Sequence, residues 1–278
     1  MKILPIVLLM VAVQLLVAQP SDFSNNTAPK SLKKLDHSFE VGSSTRILAS
    51  RVNVRAQPST TAATLHTLAL GTPVKILEKR IEEHSHKGFI ASWYRVSFKT
   101  SRGRAEGYVW GGLLALCSVT SSADSSIVFL FGRVPEVQPS PKDPDKYYPA
   151  IQIRVCQEGQ ELASLQLATQ LNYNNNDYWV KRYDKQQLEG VQDVLQLEEN
   201  EFHAGGYQVR NIVFWNGEEL LWMEALQLAG GAEEIAQQTL IFPHQEGGKE
   251  GEIIKVEPNL HTPYKWTGKR LKKGKAQK

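Results

Sequence analysis

The chain has 278 residues, of which 41% are hydrophobic, and its formal net charge at pH 7 is +3. This length is more than one small domain needs and is sufficient for two. The near balance of charge excludes a protein that binds polyanions through its overall charge.

An apolar run from Ile3 to Ala18 follows the first two residues, and the chain becomes polar at Gln19. This layout is typical of a secretory signal peptide, so we predict that residues 1–18 direct export and are removed. The run is shorter than the roughly 20 residues with which a helix crosses a bilayer, although an uncleaved anchor remains the alternative. No later segment is apolar enough to cross, so we expect no integral membrane segment after signal removal.

Residues 19–45 are rich in Ser, Asn, Thr, Lys and Pro, which predicts a flexible lead-in. In residues 46–116, short runs of alternating apolar residues are separated by turn residues, a pattern that indicates strands joined by turns. The charged insert between Glu78 and Ser92 is longer than a tight hairpin. We expect it to project from one end of this unit, where it would widen or cover a groove.

Residues 117–126 have the composition of a linker. Residues 127–272 again alternate in the manner of strands, and Asn216-Gly217 between two apolar runs is a hairpin signal. We therefore predict an all-β chain whose second domain is a larger antiparallel sandwich or open barrel. Residues 273–278 are a basic tail, for which we expect a solvated segment or, alternatively, contact with anionic envelope polymer.

Four sequence blocks of the first domain occur in a characteristic order. They are Asn53-Val54-Arg55-Ala56-Gln57-Pro58, Gly71-Thr72-Pro73-Val74, Trp93-Tyr94-Arg95-Val96 and Gly107-Tyr108-Val109. In this order the blocks resemble the bacterial SH3 (SH3b) family. The resemblance implies a small β-barrel that binds a cell-wall peptide or an envelope protein.

The resemblance also suggests where a ligand would bind. The candidate groove consists of outward polar and aromatic residues beside the four blocks: Asn53, Arg55, Trp93, Tyr94, Tyr108 and Trp110. A second candidate surface, with aromatic rings for stacking on sugar or peptide, comprises Tyr173, Tyr178 and Trp179. These rings, like those of Trp215 and Trp222, could instead fill a β core, and for the last two we expect the core.

The second domain resembles the C-terminal half of exported SH3-domain proteins of the Bacteroidetes group. The resemblance depends on segments such as Phe129-Leu130-Phe131-Gly132 and Phe214-Trp215-Asn216-Gly217. No activity is implied for this half.

The sequence gives little support for catalysis. Neither Cys117 nor Cys156 stands in the local motif of a cysteine peptidase, and the sequence leaves open whether they form a disulfide or remain two thiols. His84 and His86 would share one face of a strand, but no second histidine pair completes a zinc site, so we expect an exposed polar loop. We expect no metal, no cofactor and no binding of nucleic acid.

The interpretation favoured by the sequence is an exported, non-enzymatic binding protein in the periplasm or cell envelope of a Gram-negative bacterium. Two other classes remain open. One is a cell-wall hydrolase or an accessory of such a hydrolase. The other is a structural component of the envelope that binds protein partners.

Overall fold

The computed structural model of the chain describes residues 31–34, 38–86, 89–134, 150–168, 176–201, 208–229 and 238–278. Within these ranges the only helical element is a 3-10 turn at Gly111–Leu113, and all other regular structure is β-strand. The predicted all-β fold is confirmed. The predicted signal peptide, residues 1–18, lies outside the described residues.

A small barrel is built from strands of the first half of the chain, whose first and last strands instead join sheets of the second half. The strands of this half are β1 Ser31–Lys34, β2 Ser44–Arg46, β3 Arg51–Arg55, β4 Thr64–Ala69, β5 Pro73–His86, β6 Phe89–Thr100, β7 Gly103–Trp110 and β8 Cys117–Thr120. Six of these strands pair antiparallel in the order β2-β5-β6-β7-β3-β4. On β3, Val52 and Val54 are fully buried whereas Arg51 and Asn53 are exposed, because successive side chains of a strand point to opposite faces.

The insert between Glu78 and Ser92 forms a two-stranded arm, in which β5 and β6 continue to pair beyond the barrel. A bulge interrupts the pairing, since Lys79 pairs with Tyr94 and the next paired residue, Glu83, lies opposite Ser92. In the bulge the Arg80 guanidinium lies 2.7 Å from the Glu78 carboxylate and 3.0 Å from that of Glu82. The insert therefore projects, as expected, but as a paired arm.

The second half of the chain forms three more antiparallel sheets. Its strands are β9 Ile127–Val134, β10 Ala150–Gln157, β11 Gln160–Ala168, β12 Asn176–Asp184, β13 Asp193–Glu201, β14 Gln208–Trp215, β15 Leu220–Ala229, β16 Thr239–Ile241, β17 Glu252–Glu257, β18 Leu260–Trp266 and β19 Leu271–Lys273. Sheet I has the order β11-β10-β9-β8, sheet II the order β1-β12-β13-β14-β15, and sheet III the order β16-β17-β18-β19.

Sheet II is covered on both faces. Phe129 and Ile153 of sheet I pack against one face, where Trp215 of sheet II is fully buried. On the other face, Phe214 of sheet II packs with Trp266 of sheet III. Burial of a large apolar side chain contributes about 1.5–3 kcal/mol, so each face has a core sufficient to hold a layer in place. The second half is thus a sandwich of sheets I and II with sheet III as a further layer.

The barrel packs on the free face of sheet I. Leu48 of the barrel lies so close to Gly132 of β9 that a Cβ atom at Gly132 would overlap its side chain. Arg154 of β10 donates hydrogen bonds to the Leu48 carbonyl oxygen at 2.6 Å and to Ser50 Oγ at 2.7 Å, and it also pairs with Glu161. These contacts make the barrel and sheet I parts of one packed structure.

Three segments differ from what composition predicts. Residues 117–126, predicted as a linker, contain β8, and the Ser121 hydroxyl beyond it is buried and donates to Asp193 at 2.5 Å. Within the predicted lead-in, β1 pairs with β12 and β2 pairs with β5. In the basic tail, Gln277 exchanges two backbone hydrogen bonds with His261. In each case a neighbouring strand offers backbone partners that composition does not reveal.

Cys117 and Cys156 do not form a disulfide. They lie on β8 and β10, which flank β9, so two strand spacings alone separate their Cα atoms by roughly 10 Å. Their offset along the strands adds to this distance, because Cys117 lies opposite Phe131 of β9 whereas Cys156 lies opposite Val128. Cys117 packs against the core between sheets I and II, whereas Cys156 lies in the contact with the barrel, on the opposite face of sheet I. A disulfide needs Cα atoms closer than about 7 Å, so this geometry excludes the bridge.

Candidate functional site

A cleft of about 250 Å³ lies on the outer face of the barrel, beside the arm. Strand β3 points alternate side chains toward it, β6 and β7 contribute one tryptophan each, and the arm closes one side. It is lined by Arg51, Asn53, Arg55, Thr60, His84, His86, Trp93, Trp110 and Leu113. We call this the barrel cleft, and it brings together four of the six residues that the sequence indicates for a groove.

Trp110 joins the barrel to the arm. Its indole Nε1 donates hydrogen bonds to the carbonyl oxygens of His84 and Ala91, each at 3.0 Å. The rings of His84 and Phe89 meet the indole edge-on, with centroids 5.5 and 5.7 Å away. A Cβ atom at Gly112 would overlap the Trp110 ring, so the second glycine of Gly111-Gly112 leaves room for the indole in this position.

The charged residues of the barrel cleft are all basic. Arg55 is held by hydrogen bonds from Nη1 to the Ala62 carbonyl oxygen and to Thr64 Oγ1, both at 2.9 Å. Arg51 is exposed, and no acidic side chain is among the described residues that line the cleft. Guanidinium groups recognise carboxylates through paired hydrogen bonds, so this lining favours a ligand that carries a carboxylate.

His84 and His86 enter the site because the arm is a strand. Residues two apart on a strand share a face, and both imidazoles pack near Trp110, with centroid distances of 5.5 and 6.0 Å. His84 also lies 6.4 Å from the Trp93 ring. The expectation of an exposed polar loop is therefore wrong for His84, which is half-buried in the cleft wall. In the sequence, the signal for this arrangement is that the two histidines are two residues apart, which puts them on one face of a strand.

The comparisons with known proteins bear on this barrel. The family model described as "Bacterial SH3 domain" matches residues 50–115. The barrel is a bacterial SH3 domain. The match covers about a quarter of the 278 residues, and all the strands of sheets I to III lie outside it. Neither a curated protein nor a solved structure matches the chain.

Bacterial SH3 domains are commonly modules that bind the cell wall. In this SH3 domain the barrel cleft is a concave surface at which residues of the matching blocks meet side chains from the arm. In the described part of the chain, no helix has the length and apolar character required to cross a membrane.

Tyr94, predicted as a groove residue of the SH3 domain, belongs instead to its core. It is 3% exposed, its ring packs edge-on against Phe39 at 5.2 Å, and its hydroxyl accepts a hydrogen bond from the Phe39 backbone N–H. Burial raises the pKa of the Tyr94 hydroxyl. Tyr108 is half-buried opposite Arg55 and Arg95 and is not among the residues that line the barrel cleft.

The second candidate surface does not form as predicted. Tyr178 is fully buried between sheets I and II, so it has no face for a ligand. Trp179 is half-buried, and Tyr173 lies outside the described residues. Of the two tryptophans expected in the core, Trp215 is fully buried, whereas Trp222 is 49% exposed and donates from Nε1 to Asn211 Oδ1 at 3.2 Å.

The remaining candidates for reactive or metal-binding groups are separate from the SH3 domain's cleft. Among the described residues, no group of three or more His, Cys, Asp or Glu side chains could hold a metal ion. Burial raises the pKa of the Cys156 thiol, which keeps it in its protonated, unreactive form. A Cβ atom at Gly71 would lie 2.7 Å from Cys156 Sγ, so the barrel packs directly on this thiol.

Proposed function

We propose that this chain is an exported, non-enzymatic protein of the Gram-negative cell envelope, of the Bacteroidetes type, whose SH3 domain binds the peptide part of the cell wall in the barrel cleft. The observation that carries the proposal is the lining of that cleft, in which the described residues include two arginines, two histidines and two indole rings but no acidic side chain. This combination fits a short peptide that has a free carboxylate.

Each part of the cleft matches one part of such a ligand. The Arg51 guanidinium is exposed and available for a carboxylate, while hydrogen bonds orient Arg55 beside it. The Trp93 and Trp110 rings form an apolar wall for aliphatic side chains. Asn53 is exposed, and its Oδ1 already accepts from Thr67 at 3.2 Å, which leaves its NH₂ group to donate to a peptide carbonyl.

The arrangement of the histidines favours binding over hydrolysis. A peptidase of the cysteine class needs a histidine hydrogen-bonded to its thiol. His84 and His86 pack instead against tryptophan rings, and Cys156 lies in the contact between the barrel and sheet I. The apolar run from Ile3 to Ala18 supports export, because wall peptides lie outside the cytoplasmic membrane.

Isothermal titration calorimetry of residues 19–278 with a purified disaccharide-tetrapeptide wall fragment tests the proposal. We expect binding to the fragment and none to the same disaccharide without its peptide. Arg51→Ala is expected to weaken binding at least tenfold, because hydrogen bonds to charged groups contribute about 1.5–3 kcal/mol.

Arg104→Ala is the matched control, since Arg104 is an exposed arginine of the same barrel that does not line the barrel cleft. Its affinity should equal that of the unmodified chain. Absence of binding to the fragment, or equal losses in the two variants, would contradict the proposal. Release of soluble fragments from whole peptidoglycan would show hydrolysis and contradict the non-enzymatic part.

A further inference from the structure

A second cleft, of about 960 Å³, lies where loops of sheets I, II and III meet. Ser121 and Ser122, after β8, line one side, the loop between β12 and β13 lines another, and His244, after β16, lines a third. Its volume is at the upper end of the roughly 300–1,000 Å³ of small-molecule sites, and such sites often lie between structural units. We call it the junction cleft.

Among the described residues, five buried polar side-chain atoms without a hydrogen-bond partner belong to residues that line the junction cleft. They are Arg182 Nε, Gln186 Oε1, Gln192 Oε1 and both ring nitrogens of His244. Gln186 is only 3% exposed and Arg182 only 9%. A buried polar atom without a hydrogen bond costs about 1–3 kcal/mol, so a ligand that offered hydrogen bonds after small rotations of these side chains would gain free energy here.

The charges of the junction cleft are balanced within the protein. Arg182 Nη1 donates to the Asp193 carboxylate at 3.2 Å, and Ser122 donates to the same carboxylate from its backbone N–H at 2.7 Å. Asp184 accepts from Gln186 Nε2 at 3.1 Å and stands next to Lys185, which also lines the cleft. Among the described residues around the cleft, the two cations Arg182 and Lys185 are matched in number by the two carboxylates of Asp184 and Asp193, so the formal charges sum to zero and do not favour an anionic ligand.

The loop between β12 and β13 is fixed in an unusual conformation. Gln186 and Gln187 have φ angles of 52° and 57°, in the left-handed region that residues other than glycine rarely adopt. Leu188 and Val191 of the same loop pack into the core between sheets II and III. This packing holds the two glutamines in place before any ligand arrives, which is how binding sites retain backbone strain.

We propose that the junction cleft is a binding site for a neutral oligosaccharide. Sugar hydroxyl groups both donate and accept hydrogen bonds, and the cleft offers them amide oxygens, a guanidinium N–H and imidazole nitrogens together. An anion would leave the amide oxygens without donors, and a hydrocarbon ligand would leave all of these atoms unpaired. The site is independent of the barrel cleft, and it gives the sheets outside the SH3 domain a function of their own.

The test is a glycan array of neutral and anionic oligosaccharides probed with residues 19–278, followed by calorimetry with the neutral glycan that is captured most strongly. We expect Gln192→Ala and His244→Ala each to weaken its binding at least tenfold. Two variants serve as controls: Gln160→Ala, an exposed glutamine outside the junction cleft, and Arg51→Ala in the barrel cleft. Both should bind the neutral glycan with the affinity of the unmodified chain. Thermal unfolding checks that every variant is folded.

Capture of no neutral glycan, or of anionic glycans only, would overturn the proposal. It would also be overturned if Gln192→Ala and His244→Ala bound the glycan as tightly as the unmodified chain. If His244→Ala does not fold, Gln192→Ala and its control Gln160→Ala still decide the question. Loss of wall-peptide binding in Arg51→Ala with unchanged glycan binding would keep the two proposals distinguishable.

Discussion

At the scale of single residues, Trp110 connects the SH3 barrel to its arm through one indole nitrogen that donates to two carbonyl oxygens. Trp110→Phe keeps an aromatic ring but leaves the oxygens of His84 and Ala91 without this donor. We expect a loss of about 1–3 kcal/mol in the free energy of unfolding, measured by urea denaturation.

The matched control for Trp110→Phe is Trp93→Phe. Trp93 is 4% exposed, lies in the same cleft and loses the same ring volume. Equal losses in the two variants would mean that ring volume, and not the indole hydrogen bonds, accounts for the effect.

The buried thiol of Cys156 makes the free energy of unfolding depend on pH. Burial raises the pKa of its thiol in the folded chain, so the folded state keeps a proton that the unfolded state loses first. The resulting stabilisation is complete below the ordinary thiol pKa of about 8.5 and disappears as the pH rises through the raised value. In urea denaturation between pH 7 and 10, Cys156→Ala should lose less stability with rising pH than the unmodified chain. Identical slopes would contradict this assignment.

Neighbouring residues of one sequence block show what could be predicted at this scale. Trp93 and Tyr94 are adjacent on β6, so they must point to opposite faces, but the block does not say which face is outside. The structure places Trp93 in the barrel cleft and Tyr94 in the core. Tyr178 and Trp222 exchange their expected roles for the same reason, because an aromatic residue suits a core and an exposed surface equally well.

At the scale of elements, the arm determines the shape of the barrel cleft. His84 and His86 face Trp110 from one side of β5, and Ser85 between them points to the other side and is exposed. His86→Ala should weaken binding of the wall fragment about three- to tenfold, because it removes a hydrogen-bonding group worth about 1 kcal/mol. Ser85→Ala should leave the affinity unchanged, as measured by calorimetry.

A loss in both variants would indicate that the arm as a whole had moved. No loss in His86→Ala would remove the arm from the binding site.

The arm and β8 are elements whose strands the sequence did not predict. Both segments are mostly polar, so their composition resembles that of loops and linkers. Their pairing depends on backbone hydrogen bonds to β6 and β9, which are independent of side-chain polarity. By contrast, β3 is well predicted, because the apolar residues Val52 and Val54 alternate with polar residues in the sequence and are the buried side chains of the strand.

At the scale of the whole molecule, the contact between the barrel and sheet I joins the two halves. Gly132→Ala would place a Cβ atom inside the Leu48 side chain, and overpacking of this kind typically costs about 1–3 kcal/mol. Leu48→Ala opens space at the same point, so adding Gly132→Ala to it should cost much less. A double-mutant cycle by urea denaturation measures this difference. Additive losses would contradict the close packing.

The layered arrangement was only partly predictable. Four ordered sequence blocks indicated the SH3 barrel, and its position at residues 50–115 is confirmed. For the second domain, alternating residues indicated an antiparallel sandwich or open barrel. They did not indicate that sheet II is covered by other sheets on both of its faces. The segment Asn211–Trp215 is buried throughout, and a run of this kind does not reveal which layers cover it.

The central claim is that the barrel cleft binds a wall peptide, and nuclear magnetic resonance tests it most directly. In a chain labelled with ¹⁵N at its 6 tryptophans, each indole N–H gives its own signal. On titration with the disaccharide-tetrapeptide fragment, we expect the signals of Trp93 and Trp110 to shift with one saturable affinity, while those of Trp215 and Trp266, which lie outside the barrel cleft, stay in place. Saturable shifts confined to tryptophans outside the barrel cleft, or no shift at all, would contradict the account.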